Sequence, residues 1–413
     1  MDYLQSLFSI PASYSLSDGS ARYYSSMTPA WDIVGKVRRV HFEVSFNPIP
    51  CESFELLHHN AINTHLFKPK FYSKDSNIDE IFCTVPSREV LAHTLRSLAI
   101  IAHHLGNQHI QITINDQDQK YSSYTGGWQI EDNVIFGWRD SFLKFLKIYW
   151  LLESGVSIST VTELVCELEN RLMNPDPQKL EEIKKKIYLE KGINVEAFND
   201  VFHISYQDTT TPCISSANLE IHGKKLSIVQ LSWGVTLSRD LAQTIVNLNP
   251  KIKKIGSVGG VGYAQSDSMQ LDDIFLPTGI VTFDQVGNNR MKQFQNHIFA
   301  VKENKYFIPS RCATGYMHTV VPKLGVLSNT AIFKGRDLHI SGFDMELEGF
   351  LDVLLQYPSI EFASSHYVMD LPFRGYSLGD TYYYRPYLEQ FFKKFNRGKY
   401  SCFERVLQFV TET

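Results

Sequence analysis

The sequence predicts an α/β protein: a helix-flanked sheet in the carboxy-terminal half, preceded by an α+β and helical amino-terminal domain. Three observations carry this. After residue 200, apolar β-like runs (LSIVQL at 226–231, IFLPTGIV at 274–281, a stretch near 361–369) alternate with helical ones such as SRDLAQTIVNLNP at 238–250. That alternation is the pattern of a mainly parallel sheet covered by helices. Earlier, Val40, Phe42, Val44 and Phe46 alternate with Arg39, His41, Glu43 and Ser45, the period of a half-buried strand. Between the two regions, Asn174-Pro175-Asp176-Pro177 breaks any helix, because proline lacks an N–H and restricts its predecessor. The expected domains are therefore 1–176 and 177–413.

Up to about residue 30 the chain is rich in Ser and Tyr without periodicity and reads as an arm. After the first strand, REVLAHTLRSLAIIAHHLG is helical, with Ser87 placed to cap one end and Gly106 the other. Ile110, Ile112 and Ile114 then alternate as a second strand. Two more helices follow, DSFLKFLKIYWLLESG stopping at Gly155 and SISTVTELVCELENRLM stopping before the proline cluster. The charged helix KLEEIKKKIYLEKG ends at Gly192, and its lysine run is a solvated face rather than a phosphate site.

A length of 413 residues suits two domains, and 43% hydrophobic with 20% charged residues is ordinary for a globular protein. Forty basic against 44 acidic residues, a net charge of −4, gives no broad basic surface for nucleic acid. The six cysteines include no CxxC pair, so no metal or redox motif is expected and the thiols read as reduced, in a cytoplasmic protein. MDYLQSLFSIPASYS has no basic region ahead of its apolar residues, and no stretch nears 18 consecutive apolar residues. Neither secretion nor a membrane span is expected.

In a parallel sheet, ligands sit beyond the carboxyl ends of the strands. KKIGSVGGVG, Lys253 to Gly262, has no GK[ST] ending and lacks the third glycine of a dinucleotide fingerprint. As a loop it would offer backbone N–H groups, the Ser257 hydroxyl and the Lys254 ammonium to an anion or a polarised water; the plain alternative is a glycine-permitted turn. FDMELEGF, 343–350, places Asp344, Glu346 and Glu348 ahead of a helical run at Phe350, Leu351, Val353 and Leu354. Helix-dipole compensation would explain them, with Asp344 near the N-cap and Glu346 in the first turn. SSHYVMDLP delivers Asp370 at the end of an apolar strand, where burial without a cationic partner would make its carboxyl a proton donor near neutrality. The His103-His104 pair and the aromatic stretch DTYYYRPYLEQFF read as helix-end and packing residues.

The order of these pieces resembles the nucleoside phosphorylase and nucleosidase superfamily. From Leu226 to Asp284 come a strand ending in LSWG, a helix, a strand with IGSVGG, and a strand opening on Asp-Ile. GVLSNTAIF at 325–333 resembles the family's base-binding strand and loop, FDMELEGF its Met-Glu segment and VMDLP its Ser-Asp segment. The likeness covers about the last 200 residues. AMP nucleosidase is similar in layout, with an extra amino-terminal domain, and methylthioadenosine nucleosidase parallels GVLSNTAIF. The resemblance implies a nucleoside-phosphorylase-like mixed sheet flanked by helices, cleaving the N-glycosidic bond of a purine nucleoside or nucleotide. No cofactor is implied, and a homo-oligomer is.

By the same resemblance, Glu346 would accept hydrogen bonds from the ribose hydroxyls with Met345 beneath the sugar. Asp344 and Glu348 would be left for capping or surface roles. Asp370 would protonate the departing base at purine N7, Ile332 and Phe333 would line the base pocket, and Lys254, Gly256, Ser257 and His366 would face the nucleophile. Two residues depart from the pattern: Met369 replaces the usual serine before the aspartate, and His366 replaces a common arginine four residues before it. The early strand whose glycine and arginine bind phosphate in phosphorylases has no match at VFHISYQDTTTP, 201–212. Water is therefore the expected nucleophile. The alternatives are a phosphorylase, with His366, Lys254 and Arg374 rebuilding an anion site, and a non-catalytic nucleotide sensor.

Overall fold

The computed structural model describes residues 35–45, 54–56, 70–74, 77–85, several positions between 88 and 110, and 111–116, 120–170, 176–209, 214–231, 234–263, 265, 269–283, 289–319, 339–344, 346–371 and 397–412. Strands β1 (Arg39–Val44), β2 (Phe54–Leu56), β3 (Lys70–Lys74), β4 (Asn77–Val85) and β5 (Gln111–Asp116) form a sheet in the order β2-β3-β4-β1-β5. β1 lies parallel to both β4 and β5. Its Val40, Phe42 and Val44 are buried and its Arg39 exposed, as the alternation predicts. Leu91, Leu95, Leu98 and Ala102, all helical, are buried, and Gly106 takes the left-handed conformation (φ 69°) expected of a helix stop.

The second sheet comprises β6 (Asn133–Gly137), β7 (Ser205–Asp208), β8 (Ser215–Ile221), β9 (Lys224–Gln230), β10 (Lys254–Tyr263), β11 (Ile274–Phe283), β12 (Asn289–Gln293), β13 (Cys312–Thr319), β14 (Ile340–Asp344) and β15 (Glu361–Asp370). Its path is β12-β11-β13-β14-β10-β6-β9-β8-β7, with β15 pairing β10 and β11. The sheet is mixed, as the resemblance implies, rather than mainly parallel as the alternation of runs alone suggests. β6, β9, β10 and β15 run one way, while β11, β13 and β14 run the other. One cause is local: His222 (φ 50°) and Gly223 (φ 74°) close a two-residue hairpin between β8 and β9, the geometry a tight antiparallel turn needs.

Helices α1 (Arg139–Glu153), α2 (Ile158–Asn170), α3 (Pro177–Lys191), α4 (Val235–Leu248), α5 (Leu347–Leu354) and α6 (Arg397–Thr411) cover this sheet. Phe142 and Leu146 of α1, Val161 of α2, Leu180 of α3 and Phe403 of α6 share one buried cluster with Ile135, Ile228, Val258 and Ala363. Leu241 of α4 and Phe350 of α5 share another with Val134, Phe136, Val229 and Ile255. Consecutive residues of β6 thus enter opposite clusters, so both faces are covered, which is why its sequence is a continuous apolar run.

β6 is hydrogen-bonded between β9 and β10, so the second sheet recruits chain that precedes the proline cluster. The cluster instead starts a helix. The Asp176 side chain accepts the N–H groups of Gln178 (3.0 Å) and Lys179 (3.2 Å), Pro177 takes the first helical position, and Gly192 (φ 65°) ends α3.

Five strands close on themselves. β10 pairs β15, β15 pairs β11, β11 pairs β13, β13 pairs β14, and β14 returns to β10. Val261, Phe275, Met317 and Val368, one from each of four of these strands, lie in a common buried cluster.

Candidate active site

β14 is buried along its whole length and runs directly into α5. At the junction Asp344 is 3% exposed. Its Oδ2 accepts the N–H groups of Glu346 (3.2 Å) and Leu347 (2.7 Å), and its Oδ1 accepts the Thr319 hydroxyl at 2.6 Å. Thr319 Oγ1 in turn accepts the N–H of Glu348 at 3.0 Å. The first amides of a helix have no partners inside it, and here Asp344 and Thr319 supply them. Burial pushes the Asp344 carboxyl above its ordinary pKa, and these hydrogen bonds work in the other direction.

Capping therefore falls to Asp344. Glu346 stands at the N-cap position rather than in the first turn, makes no side-chain cap bond, and is buried. Its carboxylate takes no part in the cap. Glu348, in the first turn and partly buried, is raised to about 7, first by burial and then by Asp352, against the pull of Lys292 and Arg239.

The glycine-rich segment expected as a loop is strand β10. It is a central strand, hydrogen-bonded to β6, β14 and β15, and its glycines make room for neighbours rather than for a turn. A Cβ at Gly256 would collide with Val406 of α6, and one at Gly260 with Met369 of β15. Ser257 is buried within the strand, in register with Ser364 and Phe136.

Lys254 opens β10 and is used elsewhere. Its Nζ donates to the carbonyls of Phe409 (3.0 Å) and Glu412 (2.6 Å), 5.1 Å from the Phe409 ring centre, so it complements the carboxyl end of α6. Eight strand rises, about 26 Å, separate it from Gly262.

His366 lies in mid-strand, 2% exposed, with Nε2 at 2.8 Å from the Ser364 hydroxyl. Its Nδ1 faces the space that Gly259 leaves open. Burial pushes its pKa down to about 3, so the imidazole is neutral and gives an anion no charge.

Asp370 ends β15. The pairing with β10 runs Val261 to Val368 and then jumps to Gly262 and Asp370, leaving Met369 as an extra residue. Such a bulge bends a strand and re-aims the residues after it. Gly262 also pairs with Phe343 of β14. One glycine thus has the end of β15 and the β14–α5 junction as neighbours, which puts their backbones within about two strand spacings, ~10 Å. The backbones of Asp370 and of the Asp344–Glu346 turn are brought together. The Asp370 side chain, Met345, Ile332, Phe333 and Arg374 lie outside the described residues, as do His103, His104 and the 380–392 stretch.

One element escaped the sequence reading. β6 ends at Gly137, and Arg139 opens α1 two residues later, so a glycine and an arginine do follow an early parallel strand. The signal was the short run Val134–Phe136 ahead of the helix, bracketed so closely by Asp132, Asn133, Arg139 and Asp140 that only four apolar residues, Trp138 the last, show. Arg139 is engaged: it pairs with Asp208 and with Asp140 (3.1 Å) and lies 5.4 Å from the Tyr206 ring centre. Among the described residues no group of three or more His, Cys, Asp or Glu side chains is placed to hold a metal ion, and no helix is long and apolar enough to cross a membrane.

No protein-family model matches the chain, and no curated protein matches it. Among solved structures it is similar to a 5′-methylthioadenosine/S-adenosylhomocysteine nucleosidase from Colwellia psychrerythraea 34H in complex with adenine. The TM-score is 0.41 and the identity 11%, covering 68% of this chain and 97% of that one. A futalosine hydrolase mutant of Helicobacter pylori has a TM-score of 0.39 and 13% identity, over 49% of this chain and 91% of its own. An S-adenosylhomocysteine nucleosidase from Streptococcus pyogenes has a TM-score of 0.39 and 12% identity, over 51% and 89%.

Proposed function

We propose that the chain is an N-glycosidase with a nucleoside-phosphorylase-like fold, hydrolysing the N-glycosidic bond of a purine nucleoside or nucleotide. The observation that carries the reading is the shared neighbour Gly262, flanked by Asp370 on one edge and by the β14–α5 junction on the other. Cleavage of this bond passes through an oxocarbenium-like sugar. It needs a proton for the leaving base and negative charge beside the ribose. Asp370 would supply the first. Glu346, buried and excused from capping by Asp344, would supply the second by accepting the 2′- and 3′-hydroxyls, with Met345 under the sugar and Ile332 and Phe333 along the base.

Water is favoured as nucleophile because a phosphate dianion needs several charge-assisted donors. Lys254 is spent on α6, His366 is neutral, and Arg139 already faces two carboxylates. The β6–α1 turn is the feature that favours phosphorolysis, and the pairing of Arg139 with Asp208 and Asp140 weighs against it. An AMP-like substrate, its 5′-phosphate held by other cationic residues, is the finer form of the proposal.

The test is incubation with AMP, adenosine, inosine and methylthioadenosine, each with and without phosphate, following the base and the sugar product. Free base with ribose or ribose 5-phosphate, at a rate indifferent to phosphate, is expected. Ribose 1-phosphate as the main product would overturn hydrolysis. Binding without base release would make the protein a nucleotide sensor.

A further inference from the structure

A side chain from another strand holds the turn that carries Glu346. Thr319, at the end of β13 and 4% exposed, is 25 residues from Asp344 in the chain and opposite it in the sheet. Its single hydroxyl donates to Asp344 Oδ1 at 2.6 Å and accepts the N–H of Glu348 at 3.0 Å. Asp344 and Glu348 bracket Glu346. Asp344 Oδ2 meanwhile holds the N–H of Glu346 itself at 3.2 Å. One oxygen, on another strand, therefore ties both ends of the turn that has Glu346 at its centre.

We propose that Thr319 is a positioning residue for Glu346, acting through Asp344 and the Glu348 amide. The inference rests on the proposed role of Glu346 toward the ribose hydroxyls. Valine at 319 has nearly the same shape but neither donates nor accepts. Asp344 Oδ1 and the Glu348 amide would then lose their partner, and the turn would relax while β13 and β14 keep their pairing. Serine would keep the hydroxyl. A purely structural role would lower stability and slow every substrate alike, whereas a positioning role acts on the part of the substrate that Glu346 touches.

The experiment compares kcat/KM for base release from adenosine and AMP with that from their 2′,3′-dideoxy counterparts, in the native protein and in Thr319→Val, Thr319→Ser and Glu346→Gln. Thr319→Val should cut the preference for ribosides by at least about tenfold, the order expected for a misplaced hydrogen bond to a charged group, with the dideoxy rate little changed. Thr319→Ser should restore it. If Glu346→Gln collapses the preference while Thr319→Val leaves it intact, or slows both substrate types equally, the positioning role is wrong and the role of Glu346 stands. If Glu346→Gln itself leaves the preference intact, the role of Glu346 fails and the inference with it. Should Thr319→Val not fold, Asp344→Asn, which presents an N–H where Thr319 needs an acceptor, should show the same selective loss; an unchanged preference there would equally overturn the proposal.

Discussion

Replacing His366 by glutamine should flatten the acid side of the protein's stability profile. The imidazole is 2% exposed and its pKa falls from 6.5 to about 3 because burial disfavours the charged ring. In the unfolded chain the same ring takes up a proton below about pH 6.5. The folded state refuses that proton until about pH 3, so stability is complete above 6.5 and is lost as the pH falls between these values. Integrated from pH 7 to pH 5, the loss from this one group is about 2 kcal/mol. Glutamine does not titrate and can still reach the Ser364 hydroxyl. Urea unfolding at pH 7 and pH 5 gives the test, because other titrating groups are common to both proteins and cancel in the difference. The native protein should lose about 2 kcal/mol more than His366→Gln over that interval, whatever the variant costs at pH 7. Equal losses would refute the neutral, proton-refusing histidine, and with it the argument that position 366 cannot serve a phosphate.

Asp370→Asn should fold and bind ligand but lose turnover by ~10²- to 10⁴-fold, since an amide cannot deliver the proton; near-normal base release would remove Asp370 from the mechanism. Gly256→Ala should cost about 1–3 kcal/mol in chemical denaturation, because its methyl group would press on Val406, and adding Val406→Ala should recover most of that loss. Lys254→Met should leave base release and its indifference to phosphate unchanged while hastening amide exchange over the last turn of α6, where Phe409 and Glu412 lose their donor. A selective loss of activity would return Lys254 to the site.

Much of the architecture was legible because its signals are local. Gly155 and Gly192 stop their helices at φ 83° and 65°, and the alternation around Val40 to Val44 sorts buried from exposed residues. The glycine-rich strand β10 was not legible, because glycine that admits a neighbour and glycine that permits a turn are the same letter. What separates them is the bulk of Val406 and Met369, which arrive from distant parts of the chain. The place of β6 within the sheet depends likewise on long-range pairing. In FDMELEGF the capping role of Asp344 was legible, but the partner that completes the cap was not. Asp344 proves to be the cap because Thr319 and two amides converge on it, and nothing near Thr319 in sequence announces that contact.

The closed circuit of five strands also sets an order of events when the chain is made. β10, β11, β13 and β14 emerge first, yet β10 keeps a bare edge, and β11 the start of one at Ile274 and Phe275, until β15 slots between them. Unpaired edges are where chains aggregate. A nascent polypeptide that stalls before residue 361 should therefore be insoluble. The strand that seals the circuit is the one that ends in Asp370, so on the proposed chemistry the acid arrives with the strand that closes the sheet, and a chain lacking it cannot cleave nucleosides.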